Sequence, residues 1–295
     1  MELINFFATD GVELNGVLYT SQGQPSKKII LALHGMTSNC FKKRESEIAK
    51  EANKNGIDFF VFNNRGSEIV KYIQKNINGK KQKELAGTAY EDVLEGYEDI
   101  LGAIQKLKEL GYNNIYLQGH SLGCTKIVYT YNKLLEQNNI EMLNLIKGII
   151  LLSLVDIPLA IKVYLKDKYI KYLEYAENKE KSGKGLELMP KEAFIHPISV
   201  KTFLRYVRDN QEIDFANYGR NDNLEKLNNI NTPLFMRWGN DNEMIIQKAD
   251  ELATMVNNII KNPNKDINYI DGANHSYDKK ETDVAKQIIN FVNKY

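Results

Sequence analysis

Cysteine is scarce in this chain of 295 residues: only Cys40 and Cys124 occur. Two thiols cannot staple a chain of this length, so no disulfide framework is expected, and the reducing cytoplasm is the expected location. An excess of one charge is also missing. Lys and Arg total 39 and Asp and Glu 38, which argues against electrostatic capture of nucleic acid or an anionic membrane. No apolar run approaches the ~18 residues of a membrane span. Met1-Glu2-Leu3-Ile4-Asn5 has no basic region, and its apolar run is too short for a signal peptide. No His, Cys and carboxylate set has metal-ligand spacing, so neither a metal nor an organic cofactor is expected. There is no internal repeat and no low-complexity tract.

What the chain does contain is an alternation. A hairpin is predicted around Asp10-Gly11, from two strand-like stretches at residues 3–8 and 13–19. Apolar runs of strand length then follow at residues 28–33 (KIILAL), 57–62 (IDFFVF), 114–117, 147–152 (KGIILL), 232–238 and 267–270. Helical stretches separate them at residues 41–55, 88–110, 121–135, 244–260 and 279–292. Thr88 and Glu91 have the spacing of a capping box for the second of these, and Gly111 would end it. Central strands apolar on both faces, alternating with helices, imply a mostly parallel α/β sheet covered on both sides. The basic tract 71–83 reads as a solvated loop. Residues 154–231 break the alternation, with helices expected at 156–181 and 197–210 and no good strand. An insertion of that length in a regular core usually serves function. It carries aromatics at helical spacing, including Tyr164, Tyr169, Tyr172, Phe194, Phe203, Tyr206 and Tyr218. They would either pack the insertion or line an apolar pocket beneath a cap.

In open parallel sheets, sites gather at the carboxyl ends of strands. One strand ends in Gly119-His120-Ser121-Leu122-Gly123, and a helix-like stretch follows. Flanking glycines let the chain turn sharply and present the serine at a helix N-terminus. A serine hydroxyl needs an imidazole to take its proton and a carboxylate to orient that imidazole. An oxyanion needs two N–H donors. Leu122 would supply one, and the loop after the first core strand the other, at Met36. His275 follows the last strand, in Gly272-Ala273-Asn274-His275-Ser276. His34 and His120 fit loop-holding roles, and His196 a packing or surface role.

These marks resemble the α/β-hydrolase superfamily: the Gly-x-Ser-x-Gly elbow, the His34-Gly35 loop and His275. The resemblance covers nearly the whole chain. Asn63-Asn64-Arg65-Gly66 and Gly87-Thr88-Ala89-Tyr90-Glu91 are similar to an esterase-like branch that includes fungal enzymes cleaving siderophore esters. It implies one α/β-hydrolase domain over 1–295 with a helical cap at 154–231, and a serine esterase for a small-molecule ester, with Ser121 as nucleophile and His275 as base. The family commonly places the acid four positions into the turn that starts at Gly239, which here is Asn242. That leaves Asp241, the first choice, with Glu243 and Asp156 as alternatives. Arg65 would either bind a substrate carboxylate or hold its loop by an ion pair. Thioesterase or acyltransferase chemistry would use the same residues. Asn242 also keeps open a catalytically silent binding protein on this scaffold.

Overall fold

The computed structural model describes residues 1–21, 26–208, 212–218 and 224–295. Two antiparallel strands, β1 (Glu2–Phe7) and β2 (Glu13–Tyr19), open the chain. There follow β3 (Lys28–Leu33), α1 (Lys43–Lys54), β4 (Asp58–Asn63), β5 (Lys71–Ile77), β6 (Lys80–Ala86) and α2 (Gly96–Glu109). Next come β7 (Asn114–His120), α3 (Leu122–Glu136), α4 (Ile140–Leu145) and β8 (Ile146–Leu152). Helices α5 (Ile157–Leu165), α6 (Tyr169–Lys181), α7 (Val200–Val207) and α8 (Glu225–Asn228) lie between β8 and β9 (Leu234–Gly239). The chain closes with α9 (Ala249–Ile259), β10 (Lys265–Ile270) and α10 (Glu281–Lys294).

Eight strands form one sheet in the order β1-β2-β4-β3-β7-β8-β9-β10, antiparallel at the β1 edge and parallel from β4 to β10. Side chains alternate between its faces with a period of two. Ile29, Leu31, Leu33, Phe60, Phe62, Leu117 and Leu151 join the core under α2, α3 and α9. Their neighbours Ile30, Ala32, Phe59, Val61, Tyr116 and Ile150 join the core under α1 and α10. Each Val, Leu, Ile or Phe side chain among them contributes about 1.5–3 kcal/mol on full burial, and burial on both faces is why these strands read as unbroken apolar runs.

Three local expectations are corrected. Residues 71–83 are the body of the β5–β6 hairpin, with Asn78 (φ 51°) and Gly79 (φ 79°) in its turn. Asn-Gly is the residue pair such a tight turn demands. The helix expected from Thr88 begins only at Gly96, after a 3-10 turn at Val93–Glu95 capped by the Asp92 side chain. Thr88 and Glu91 make no capping box because their side chains bond elsewhere in the core. The helix expected from residue 244 starts at Ala249, since residues 240–248 are used in a loop. The far end of the helix expected at 197–210 lies outside the described residues; its described part is α7.

The segment between β8 and β9 packs a small core of its own. Ile161, Tyr172, Ala176, Phe203, Leu204 and Tyr206 pack together, and Leu122 reaches the same cluster. Tyr218 instead joins the main core, beside Trp238.

Candidate active site

Ser121 sits between β7 and α3 at φ 53°, ψ −123°. That backbone region is costly for a residue with a Cβ, by roughly 1–3 kcal/mol. The flanking glycines make the turn possible. A Cβ on Gly119 would lie 2.5 Å from the Cys124 nitrogen, and one on Gly123 2.7 Å from the Leu33 carbonyl oxygen. The Ser121 N–H donates to Leu152 O at 2.9 Å, which ties the elbow to β8.

Ser121 lines a cavity of about 470 Å³ together with Met36, Leu122, His120 and His275. Leu122 is the first residue of α3, so its N–H has no intrahelical acceptor. Among the described residues, neither that N–H nor the N–H of Met36 has a hydrogen-bond partner. Two unengaged amides thus flank the serine, one from each loop the sequence singled out. Ser121 and the His275 ring share the cavity wall without a direct hydrogen bond. Such bonds often tighten only when substrate is bound.

The carboxylate that meets His275 is Glu243. Its Oε1 bonds His275 Nδ1 in a very short contact and also accepts from the Met244 N–H at 2.9 Å. Its Oε2 accepts from the Gly239 N–H at 2.9 Å and from the Ser153 hydroxyl at 2.7 Å. Burial pushes the Glu243 carboxyl upward, but His275 and the donors from Gly239 and Ser153 outweigh it and hold it below its ordinary range. With Nδ1–H committed to Glu243, Nε2 of His275 is left as the proton acceptor.

Asp241, the first choice from sequence, does not reach the imidazole. Its N–H donates to Ala273 O at 2.9 Å, and the residue is exposed. The reason lies at Asn242, which takes the left-handed conformation (φ 49°) that asparagine tolerates. The turn therefore delivers the next residue inward, and the extra methylene of glutamate spans the gap. Asp156 is also elsewhere, capping α5 by accepting from the Leu159 N–H at 3.1 Å.

Arg65 is not at the cavity. Its guanidinium is buried, bonding Asp99 at 2.9 Å, Asp10 at 2.9 Å and Glu95 at 3.2 Å. Burial alone would lower its pKa, but the Asp99 and Asp10 carboxylates raise it and keep it charged. Arg65 therefore holds its loop to the β1–β2 turn and to α2.

His120 is buried and neutral, held well below its ordinary pKa chiefly by burial, and its Nε2–H donates to His275 O at 2.7 Å. His34 bonds only its neighbour Gly35 O through Nδ1. The His120 bond ties the serine turn to the loop that bears His275, whereas the His34 bond stays within its own loop. His196 lines the cavity, edge-on to Phe194 at 4.8 Å. Cys40 and Cys124 are buried free thiols, the latter bonding Leu152 O. Ser153 is the functional candidate the sequence reading missed. It bonds Glu243, lies 3.0 Å from Tyr277 Oη, and itself has φ 55°. A serine directly after a core strand was the signal.

The segment after β8 forms the far wall of the cavity. Val155, Ile157, Ala160, Ile161 and Tyr164 contribute from α5 and its approach, and Phe194 and Ile195 from the later loop. Lys42, Lys43 and Arg44, at the start of α1, lie along the same cavity. Among the described residues no three His, Cys, Asp or Glu side chains gather as metal ligands, and no helix is long and apolar enough to cross a membrane.

A strained serine between strand and helix, two unengaged amides beside it, and a buried Glu–His pair on later strand ends define an α/β-hydrolase fold. Solved structures agree on that fold. Est1E of Butyrivibrio proteoclasticus, solved with ferulic acid bound, is 16% identical with a TM-score of 0.63 and 98% of each chain covered. The soluble variant of monoglyceride lipase from Saccharomyces cerevisiae is 15% identical at TM-score 0.64, covering 98% of this chain and 94% of its own. Alpha/beta hydrolase domain-containing protein 10 from mouse is 14% identical at TM-score 0.60, covering 100% and 99%. No curated protein matches the chain. The family described as "Protein of unknown function (DUF1749)" matches residues 89–295, and the chain belongs to that family.

Proposed function

We propose that this chain is a serine hydrolase acting on carboxylic esters through an acyl-enzyme. The observation that carries the reading is the buried Glu243 carboxylate bonded to His275 Nδ1, beside a cavity that also contains the strained Ser121. His275 Nε2 takes the Ser121 proton as Oγ attacks the carbonyl carbon. The tetrahedral oxyanion forms against the N–H groups of Met36 and Leu122. His275 then returns the proton to the departing alcohol, the C–O bond breaks, and the acyl group stays on Ser121. Water, deprotonated by the same imidazole, releases the acid. Glu243 holds the ring's orientation and stabilises the imidazolium.

The apolar wall from α5 and Phe194 supports an acyl or aromatic group of small or medium size. The helices at 157–207 act as the cap expected at 154–231, inserted in a single α/β-hydrolase domain. The silent-scaffold alternative rested on Asn242, and a carboxylate from the next residue removes that reason. A reducing cytoplasm suits the two buried thiols. The test is a panel of p-nitrophenyl esters from acetyl to decanoyl with the siderophore-ester class alongside. We expect turnover of the short and middle members, abolished by Ser121→Ala. No turnover of any ester would reject the esterase reading, and siderophore esters left intact would drop that link.

A further inference from the structure

The two amides of the proposed oxyanion hole, Met36 and Leu122, sit on different loops. Something must fix their separation. The Met36 loop is strained at its next residue: Thr37 is β-branched, yet has φ 56°. Its N–H donates to the Thr88 hydroxyl oxygen at 2.8 Å. That hydroxyl spends its own proton on Gly66 O at 2.7 Å, so its lone pair faces Thr37. Thr88 is wholly buried.

The same short segment also grips the other loop's helix. Glu91 accepts from Lys126 Nζ at 2.5 Å, and both side chains are buried. Lys126 lies one turn along α3 from Leu122 and also donates to Asn64 Oδ1 at 3.1 Å. From the cap side, Ser199 N–H donates to Ala89 O at 2.7 Å, and the Thr202 hydroxyl donates to Glu91 O at 2.9 Å.

We propose that residues 88–91 are the positioning element of the oxyanion hole: Thr88 sets the Met36 amide, Glu91 sets the helix bearing the Leu122 amide, and both are tied to the cap. The proposal rests on the serine-hydrolase reading. Thr88 touches no substrate and acts through the Thr37 peptide. Its loss leaves the Met36 amide free to drift, which weakens the transition state more than the ground state.

The experiment compares wild type, Ser121→Ala, Thr88→Val, Thr88→Ala and Thr88→Ser. Fluorophosphonate labelling rates are measured along with kcat and KM on p-nitrophenyl butyrate. Thr88→Val and Thr88→Ala should lower the labelling rate and kcat by about 10- to 100-fold, a fraction of what losing a whole donor costs. KM should stay within about twofold. Thr88→Ser, which keeps the hydroxyl, should restore both rates. If wild type labels and Ser121→Ala does not, yet the folded hydroxyl-less variants keep wild-type rates, the positioning role is overturned while the hydrolase reading stands. Thr88→Ser as slow as Thr88→Val overturns it equally. Wild type unlabelled, or Ser121→Ala labelled as well, overturns both.

Discussion

Glu243 carries its charge in a nearly water-free place because the surrounding donors are fixed before any substrate arrives. Gly239 and Met244 supply backbone N–H groups, Ser153 a hydroxyl and His275 its ring. Glu243→Gln keeps the shape but removes the charge that stabilises an imidazolium. We expect kcat on p-nitrophenyl butyrate to fall by about 10³- to 10⁴-fold. Asp241→Asn should leave kcat within about twofold, since that carboxylate faces solvent. Equal losses in the two variants would contradict the assignment. That Ser121 and His275 would meet at one cavity was legible in the sequence because their motifs are local and sit at strand ends. The carboxylate that meets the imidazole was not, because a single left-handed residue, Asn242, decides whether position 241 or 243 turns inward. Of the two readings open for Arg65, the loop-holding ion pair is the one found. Arg65 sits just past a strand end, and Asp10, Glu95 and Asp99, all distant in sequence, accept from its guanidinium.

Among the elements, the parallel core was legible because burial on both faces leaves a continuous apolar run, as in β3 and β8. The β5–β6 hairpin was hidden by its lysines, although Asn78-Gly79 marked the turn. Thr88 and Glu91 imitated a helix cap, while their actual partners lie on other elements. Helix α5 provides the test at this scale. Ala160 lines the cavity from that helix. Ala160→Phe should place a ring in the acyl space and cut kcat/KM for octanoyl esters by at least ~10-fold, with acetyl esters changed little. A uniform loss across acyl lengths would mean that α5 does not border the acyl group.

At the scale of the whole molecule, two neutral histidines set the acid limit. Burial drives His34 down to about 3 and His120 well below its ordinary value. The unfolded chain binds protons on both near pH 6.5, whereas the folded chain refuses them. Stability is therefore complete above that pH and falls as pH drops, by up to about 1.4 kcal/mol per pH unit for each histidine. Glu243, with a depressed folded pKa, adds its own loss below about 4.5, its unfolded value. Urea midpoints should decline from near pH 6.5 downward, and His34→Asn should lessen the slope. A midpoint flat to pH 5 would contradict the buried, neutral assignment.

Every proposed step requires Ser121 to be the activated group. The most direct measurement is peptide mapping of the protein after brief exposure to a fluorophosphonate at pH 7.5. We predict one covalent adduct, on Ser121, formed far more slowly in Glu243→Gln and not at all in Ser121→Ala. An adduct on another residue, or labelling indifferent to Glu243, would contradict it.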